Sequence, residues 1–301
     1  MTKGNAKIGL IFLIMVQNYL FACWGARPLS MGGAFVSVAD DIHSIYWNPA
    51  GLGNIEEAEI TYTRLMNSRE TASYDDFWAV AIPLKYGALG MSYTYDWTKK
   101  KMFVDNNNYL DIEGNNDYLT LGYGVFLNKD IAIGINLKLI SKSTDVDGMS
   151  GGSSVSYSDS DTIFPLDFGL LWNINPYLTF GVLCQNFNEP VYKSSNQEEF
   201  FNLRPGISFR PNKDIVFSLE IYDLLDKSNG IYGRDISAGM EKRVNKHLSL
   251  RAGGYHINNS DKDLMTAGIG LVFDRWKMDY GIMSGRDISD ATHWLSIGYS
   301  F

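Results

Sequence analysis

From about Glu57 onward the chain alternates apolar residues with small or polar ones in successive blocks. A period of two is the mark of a β-strand whose two faces meet different surroundings. The segment 131–142 shows it most clearly. Ile131, Ile133, Ile135, Leu137 and Leu139 share one face, and Ala132, Gly134, Asn136, Lys138 and Lys142 share the other; Ile140 breaks the pattern. Leu89, Met91, Tyr93, Tyr95 and Trp97 repeat it, as do Leu119, Leu121, Tyr123 and Val125, then Ile215, Phe217, Leu219 and Ile221, then Trp276, Met278, Tyr280 and Ile282. A soluble sandwich would bury the apolar faces under a second sheet. A membrane barrel turns them to lipid and lines its lumen with the other set.

About fourteen such strands are predicted, near 57–66, 76–84, 87–97, 117–127, 131–144, 162–173, 178–185, 202–210, 215–222, 235–244, 248–256, 264–273, 276–283 and 292–301. The connections between them alternate in length. Short ones hold Lys85-Tyr86, Asn128-Lys129-Asp130, Asn175-Pro176, Pro211 to Asp214, Asn245-Lys246-His247 and Asp274-Arg275. Long ones lie near 67–75, 98–116, 145–161, 186–201, 223–234, 257–263 and 284–291. Bacterial outer-membrane barrels have tight periplasmic turns on one rim and extracellular loops on the other. An even strand count then leaves both ends periplasmic. The chain stops on an alternating strand, with Tyr299 and Phe301 on its apolar face. This resembles the terminal insertion signal read by the barrel assembly machinery. The fold class expected is therefore all-β: a transmembrane antiparallel β-barrel in outer-membrane lipid.

Composition sharpens this picture in three places. Aromatic residues make up 14% of the chain, with 18 Tyr and 29 Gly against 8 Pro, which suits strands and tight turns. Trp97, Tyr123, Trp172, Tyr177, Trp276 and Tyr299 fall near strand ends, as an interfacial girdle would place them. Residues 1–24 read as a cleaved signal peptide: Lys3 and Lys7 precede the apolar run 8–16, which is too short to span a bilayer, and small residues follow between Ala22 and Ala26. Cys23 sits in a box resembling that of lipoproteins, with Phe21 an unusual neighbour. Loss of Lys3 and Lys7, with no acid lost, takes the net charge from −8 to −10. That balance argues against nucleic acid as a partner.

Chemistry-bearing motifs are few. The four histidines (His43, His247, His256 and His293) have no metal-ligand spacing, and the chain has no Gly-x-Ser-x-Gly elbow or phosphate loop. No enzyme, metal site or cofactor is expected. Asp145, Asp147, Asp159 and Asp161 flank a Gly/Ser-rich stretch and read as a solvated loop.

Residues 25–56 do not alternate. They begin GARPLSMGGAF and continue through Ala39-Asp40-Asp41 to Trp47-Asn48-Pro49-Ala50-Gly51-Leu52. Compact irregular structure is expected, or a short helix around 34–39 followed by a turn at Asn48-Pro49. These motifs resemble the N-terminal segment of the FadL-like superfamily of outer-membrane barrels. The likeness is greatest to its PorV/PorQ branch, which Cys184-Gln185-Asn186-Phe187 and Leu203-Arg204-Pro205-Gly206 also resemble. The resemblance implies a fourteen-stranded barrel, with 25–56 as a hatch inside 57–301. It also implies one of two functions. One is protein secretion of the type IX kind, in which the barrel binds secreted proteins or secretion-system components. The alternative is passive transport of hydrophobic small molecules past the hatch and sideways between strands.

Two groups of site residues follow. Asp40, Asp41, Asn48, Pro49, Ala50 and Gly51 are expected to form the hatch or gate. Lys138, Glu220, Glu241, Arg243, Arg251, Lys277 and Asp279 are expected to face the lumen, where mutual pairing offsets the cost of burying charge.

Overall fold

A computed structural model describes residues 24–67, 72–105, 108–150, 153–228, 234–258, 262–284 and 291–301. The expected signal peptide and Cys23 lie outside these residues. The described chain opens with two short helices, α1 (Ala26–Ser30) and α2 (Ser44–Trp47), and a 3-10 turn at Pro49–Asn54. Fifteen strands follow: β1 (Glu59–Asn67), β2 (Ala72–Pro83), β3 (Ala88–Asp105), β4 (Asn108–Phe126), β5 (Ile131–Ser150), β6 (Ser153–Ile163), β7 (Leu166–Asn175), β8 (Leu178–Gln185), β9 (Asn202–Asn212), β10 (Ile215–Ile221), β11 (Ile236–Arg243), β12 (Leu248–Ile257), β13 (Lys262–Phe273), β14 (Trp276–Ser284) and β15 (Thr292–Ser300).

Every pairing is antiparallel, and β1 pairs with β15 to close the sheet into a barrel. The Phe301 amide donates to the Ala58 carbonyl at 2.8 Å, extending that seam by one rung. Strands β6 and β7 take turns beside β5: β7 pairs with its first half (131–137) and β6 with its second (140–150). Fifteen strands therefore make fourteen positions around the barrel. Closure satisfies the sheet edges that an open sheet would leave bare.

The apolar face of each strand points outward. Ile135 is 42% exposed, Leu137 49% and Leu121 51%, while Asn136 and Lys138 between them are buried. A buried sandwich face would be covered; this one forms a continuous apolar belt. Large aromatics ring its edge at the rim that carries the short turns and the C-terminus, here called the terminal rim. Tyr86, Trp172, Tyr177, Phe273, Trp276 and Phe301 are all exposed there.

Three expectations need correction. The stretches 98–116 and 145–161 are not loops, because β3 runs on to Asp105 to meet β4, and β5 to Ser150 to meet β6. Apolar residues are sparse in them, and charged ones sit opposite one another, as Lys99 does Glu113 and Lys101 does Asp111, so hydropathy marks the strands weakly. The single strand expected at 162–173 is two, broken at Phe164-Pro165, since proline has no N–H for the ladder. No helix forms at 34–39. The Phe35 carbonyl instead accepts from the Val38 and Ala39 amides in a tight turn, and α2 lies nearer Asn48. Ile140, the residue that broke the pattern, faces inward and packs against Ile163 and Tyr192.

Candidate functional site

Residues 24–55 lie inside the barrel. Met31, Phe35, Val38, Ala39, Ile45, Trp47, Ala50 and Leu52 are all buried there, in one cluster with Phe77, Leu171, Met283 and Trp294 of the wall. The Asn48-Pro49-Ala50-Gly51 motif is the densest part of this inner segment. Asn48 is fully buried; its Nδ2 donates to the Val36 carbonyl at 2.8 Å and to the Leu170 carbonyl of β7 at 3.0 Å. Its Oδ1 caps the 3-10 turn by accepting from the Ala50 amide at 3.2 Å. Pro49 at the first position of that turn lacks only an N–H the turn would leave unused.

The wall is shaped to receive this motif. A Cβ on Gly134 of β5 would overlap the carbonyl carbon of Pro49, and one on Gly253 of β12 would overlap the Gly32 amide. Glycine at these two positions lets backbone approach backbone.

Charge gathers at the terminal rim. The Arg27 guanidinium of α1 reaches Asp40 and Asp41, each at 2.6 Å, and donates through Nε and Nη2 to both Glu241 oxygens at 2.9 Å. Glu241 in turn accepts from Arg251 at 2.5 Å, and Arg251 donates to Asp279 at 2.6 Å. Arg210 bonds Asp40 at 3.1 Å, Lys277 bonds Glu59 at 2.7 Å, and Asp41 also holds His43 through Nδ1 at 3.0 Å. Burial would push the Asp41 carboxyl up, but His43 and Arg27 override it and hold it well below the usual carboxylate range. Burial likewise opposes the charge on Arg27, and Asp40, Glu241 and Asp41 more than offset it, so its pKa is raised. All of these groups but Arg210 border a cavity of about 250 Å³ that also touches Arg243, Lys246 and Ser300.

A second layer of polar side chains lies on the far side of the inner segment. Arg204 of β9 donates through Nε and Nη2 to Glu220 of β10, at 2.9 and 2.5 Å, and its guanidinium packs on the rings of Trp47 and Tyr222. Glu220 accepts from the Phe35 and Val36 amides at 3.0 Å, so this pair also ties down the inner segment. Lys138 bonds Asp167 at 2.7 Å and Asn186 at 2.8 Å. Trp24 stacks on Tyr46 with ring centres 3.6 Å apart.

Beside this layer a strand breaks but the wall stays hydrogen-bonded: the Lys138 amide donates to the Pro165 carbonyl at 3.0 Å and the Phe187 amide to the Leu166 carbonyl at 2.7 Å. Where Pro165 breaks the strand, the Asn188 side chain takes over both sides of the missing rung. Its Oδ1 accepts from the Leu166 amide at 2.8 Å, and its Nδ2 donates to the Phe164 carbonyl at 2.9 Å. Phe164, Phe168 and Phe187 are exposed on the outside of this junction.

Among the residues singled out from sequence, Asp40, Asp41, Glu241, Arg251, Lys277 and Asp279 come together at the terminal rim. Lys138 and Glu220 belong to the far-side layer. Arg243, two residues from Glu241 on the same face of β11, lines the cavity at its exposed mouth. Tyr299 packs edge-on against Phe301 and Trp276 at the barrel seam. Sequence reading missed Arg27, Asp167, Arg204 and Asn188. For Arg27 a signal was present, because it is the lone cation in a segment that carries Asp40 and Asp41. Asn188 carried none, since its role depends on a break two strands away.

No protein-family profile and no curated protein matches the chain. Solved structures do. The toluene transporter TbuX of Ralstonia pickettii superposes with a TM-score of 0.69 at 12% identity, covering 92% of this chain and 98% of that one. The toluene transporter TodX of Pseudomonas putida gives 0.69 at 13% identity, over 93% and 98%. A Pseudomonas aeruginosa FadL homologue gives 0.66 at 10% identity, over 93% and 99%. The fold is that of FadL-like outer-membrane barrels. At such identities the likeness concerns the path of the backbone, and the side chains of the site must be read on their own.

Proposed function

We propose that this chain is an outer-membrane channel for the passive entry of small hydrophobic molecules, with residues 25–56 as its hatch and both termini periplasmic. The observation that carries the reading is the pairing of two features in one barrel. The inner segment packs across the lumen at the terminal rim, and at Phe164-Pro165 the wall changes strands and is held by the Asn188 side chain and single backbone bonds in place of a full ladder. A water-soluble solute gains nothing from such a junction in the wall. An apolar one gains a route into the lipid, past Phe164, Phe168 and Phe187, without a full opening of the hatch. The hydrocarbon transporters that share the fold support this reading over the secretion role. Tyr299 and Phe301 serve as the insertion signal in this scheme.

The test is uptake of labelled toluene by cells whose outer membrane carries the chain, set against cells without it. Faster uptake supports the channel. Equal uptake, with the barrel folded and inserted, overturns it. Planar-bilayer conductance with and without residues 27–53 tests the hatch separately: the intact chain is expected to stay closed and the shortened one to open.

A further inference from the structure

The far-side layer holds two buried polar atoms with no partner, Nη1 of Arg204 and Oε1 of Gln185. They belong to neighbouring strands. Gln185 of β8 faces Asn202 of β9, and Arg204 is two residues further along β9 on the same inner face. Such diagonal neighbours are about 7–8 Å apart at the backbone, within reach of one another for long side chains. Tyr46 of the inner segment stands beside both, its hydroxyl facing the Gln185 side chain and its ring near the Arg204 guanidinium. Unpaired buried polar atoms are uncommon and costly. Here one is a donor and the other an acceptor.

We infer that Arg204, Gln185 and Tyr46 form a binding subsite for the hydroxyl group of a neutral, hydrophobic molecule of the phenol or alcohol class. A hydroxyl accepts from Nη1 and donates to Oε1 at once. A pure hydrocarbon leaves both atoms unpaired. A carboxylate has no proton for Gln185, and the Arg204 and Lys138 charges are already matched by Glu220 and Asp167. The rings of Trp24, Tyr46, Trp47 and Tyr222 surround the pair, Trp24 stacked on Tyr46 and the other two packed on the Arg204 guanidinium, and Glu220 holds Arg204 in place by two bonds to one oxygen. The inference rests on the transport reading only for what becomes of the bound molecule.

The experiment compares p-cresol, toluene and p-toluate, which share a ring and differ in one group, for binding to the purified full chain, corrected for uptake by empty micelles. The result expected is p-cresol bound roughly tenfold more tightly than toluene, the scale of one well-placed hydrogen bond, with p-toluate weaker than p-cresol. Gln185→Leu should erase that preference. Tyr46→Phe should reduce the preference as well, and heat-modifiable gel migration checks that both variants fold. Equal binding of p-cresol and toluene by the natural chain overturns the subsite, as does a preference that survives Gln185→Leu. Uptake by whole cells separates the two readings. Entry without preference leaves the channel standing and the subsite fallen; preferential binding without entry does the reverse.

Discussion

Asn48 and Leu170 are joined by a 3.0 Å hydrogen bond from the side-chain amide of the inner segment to the backbone carbonyl of β7. The same amide holds Val36 and caps the turn that follows, so one side chain sets both the shape of the segment and its seat. Aspartate at this position could accept but not donate. Asn48→Asp therefore removes the donations to the Val36 and Leu170 carbonyls and buries a charge. It is expected to loosen the segment by about 2–3 kcal/mol, visible as openings in single-channel conductance while the barrel keeps its heat-modifiable migration. A closed channel with normal thermal stability would count against the anchoring role.

The glycine contacts make a sterically simple prediction. Gly134→Leu places a side chain where Pro49 lies, and the strand, held on both sides by its ladder, has less freedom to move than the inner segment. The variant should insert and conduct ions. Ile135→Leu, one residue away on the outer face, should behave as the natural chain. Equal conductance in the two variants would remove the case for a tight seat.

The Arg27 cluster predicts a particular pH response. The Asp41 carboxyl is held below its ordinary value in the folded protein. Its contribution is therefore complete above the unfolded value near about 4, and it is lost only as the pH falls through the depressed value. The natural channel should stay closed from neutral pH down to about pH 4. Arg27→Leu removes the cation shared by Asp40, Asp41 and Glu241, leaving carboxylates that repel one another when ionised. That variant should open at neutral pH and close again as acid neutralises them. Conductance recorded across the pH range checks both curves, and a variant indifferent to pH would show that the cluster does not hold the segment.

The outward belt predicts where a charge is least tolerated. Leu121 lies within it, exposed and flanked by Met91 and Leu137 on the neighbouring strands. Leu121→Arg should cost about 2–4 kcal/mol in a bilayer if it sits near the midplane. The measurement is urea titration of folding into lipid vesicles. Gain of stability, or no change, would place this face against something other than hydrocarbon.

How much of this could be read in the chain follows from the range of the interactions involved. Period-two alternation is a local property, so the strands at 87–97, 131–144 and 215–222 and the outward face of Leu89, Ile135 and Phe217 were legible without a structure. The short turns were legible for the same reason. The hairpins beyond Trp97 and Thr144 were not, since Lys99 to Lys101 opposite Asp111 and Glu113 give no hydropathy contrast, and only the ladder between strands reveals them.

By itself, then, the sequence determined the strands, their lipid-facing side and the presence of a compact non-strand segment at 25–56, because each of these follows from neighbours along the chain. The tertiary structure alone decided that Arg27 would meet Glu241 across 214 residues, that Asn48 would hang from Leu170, and that Asn188 would bridge the break at Pro165. Those partners are distant in sequence. They come together because a closed barrel fixes the register of every strand, and no local pattern encodes which residues then share a level inside it.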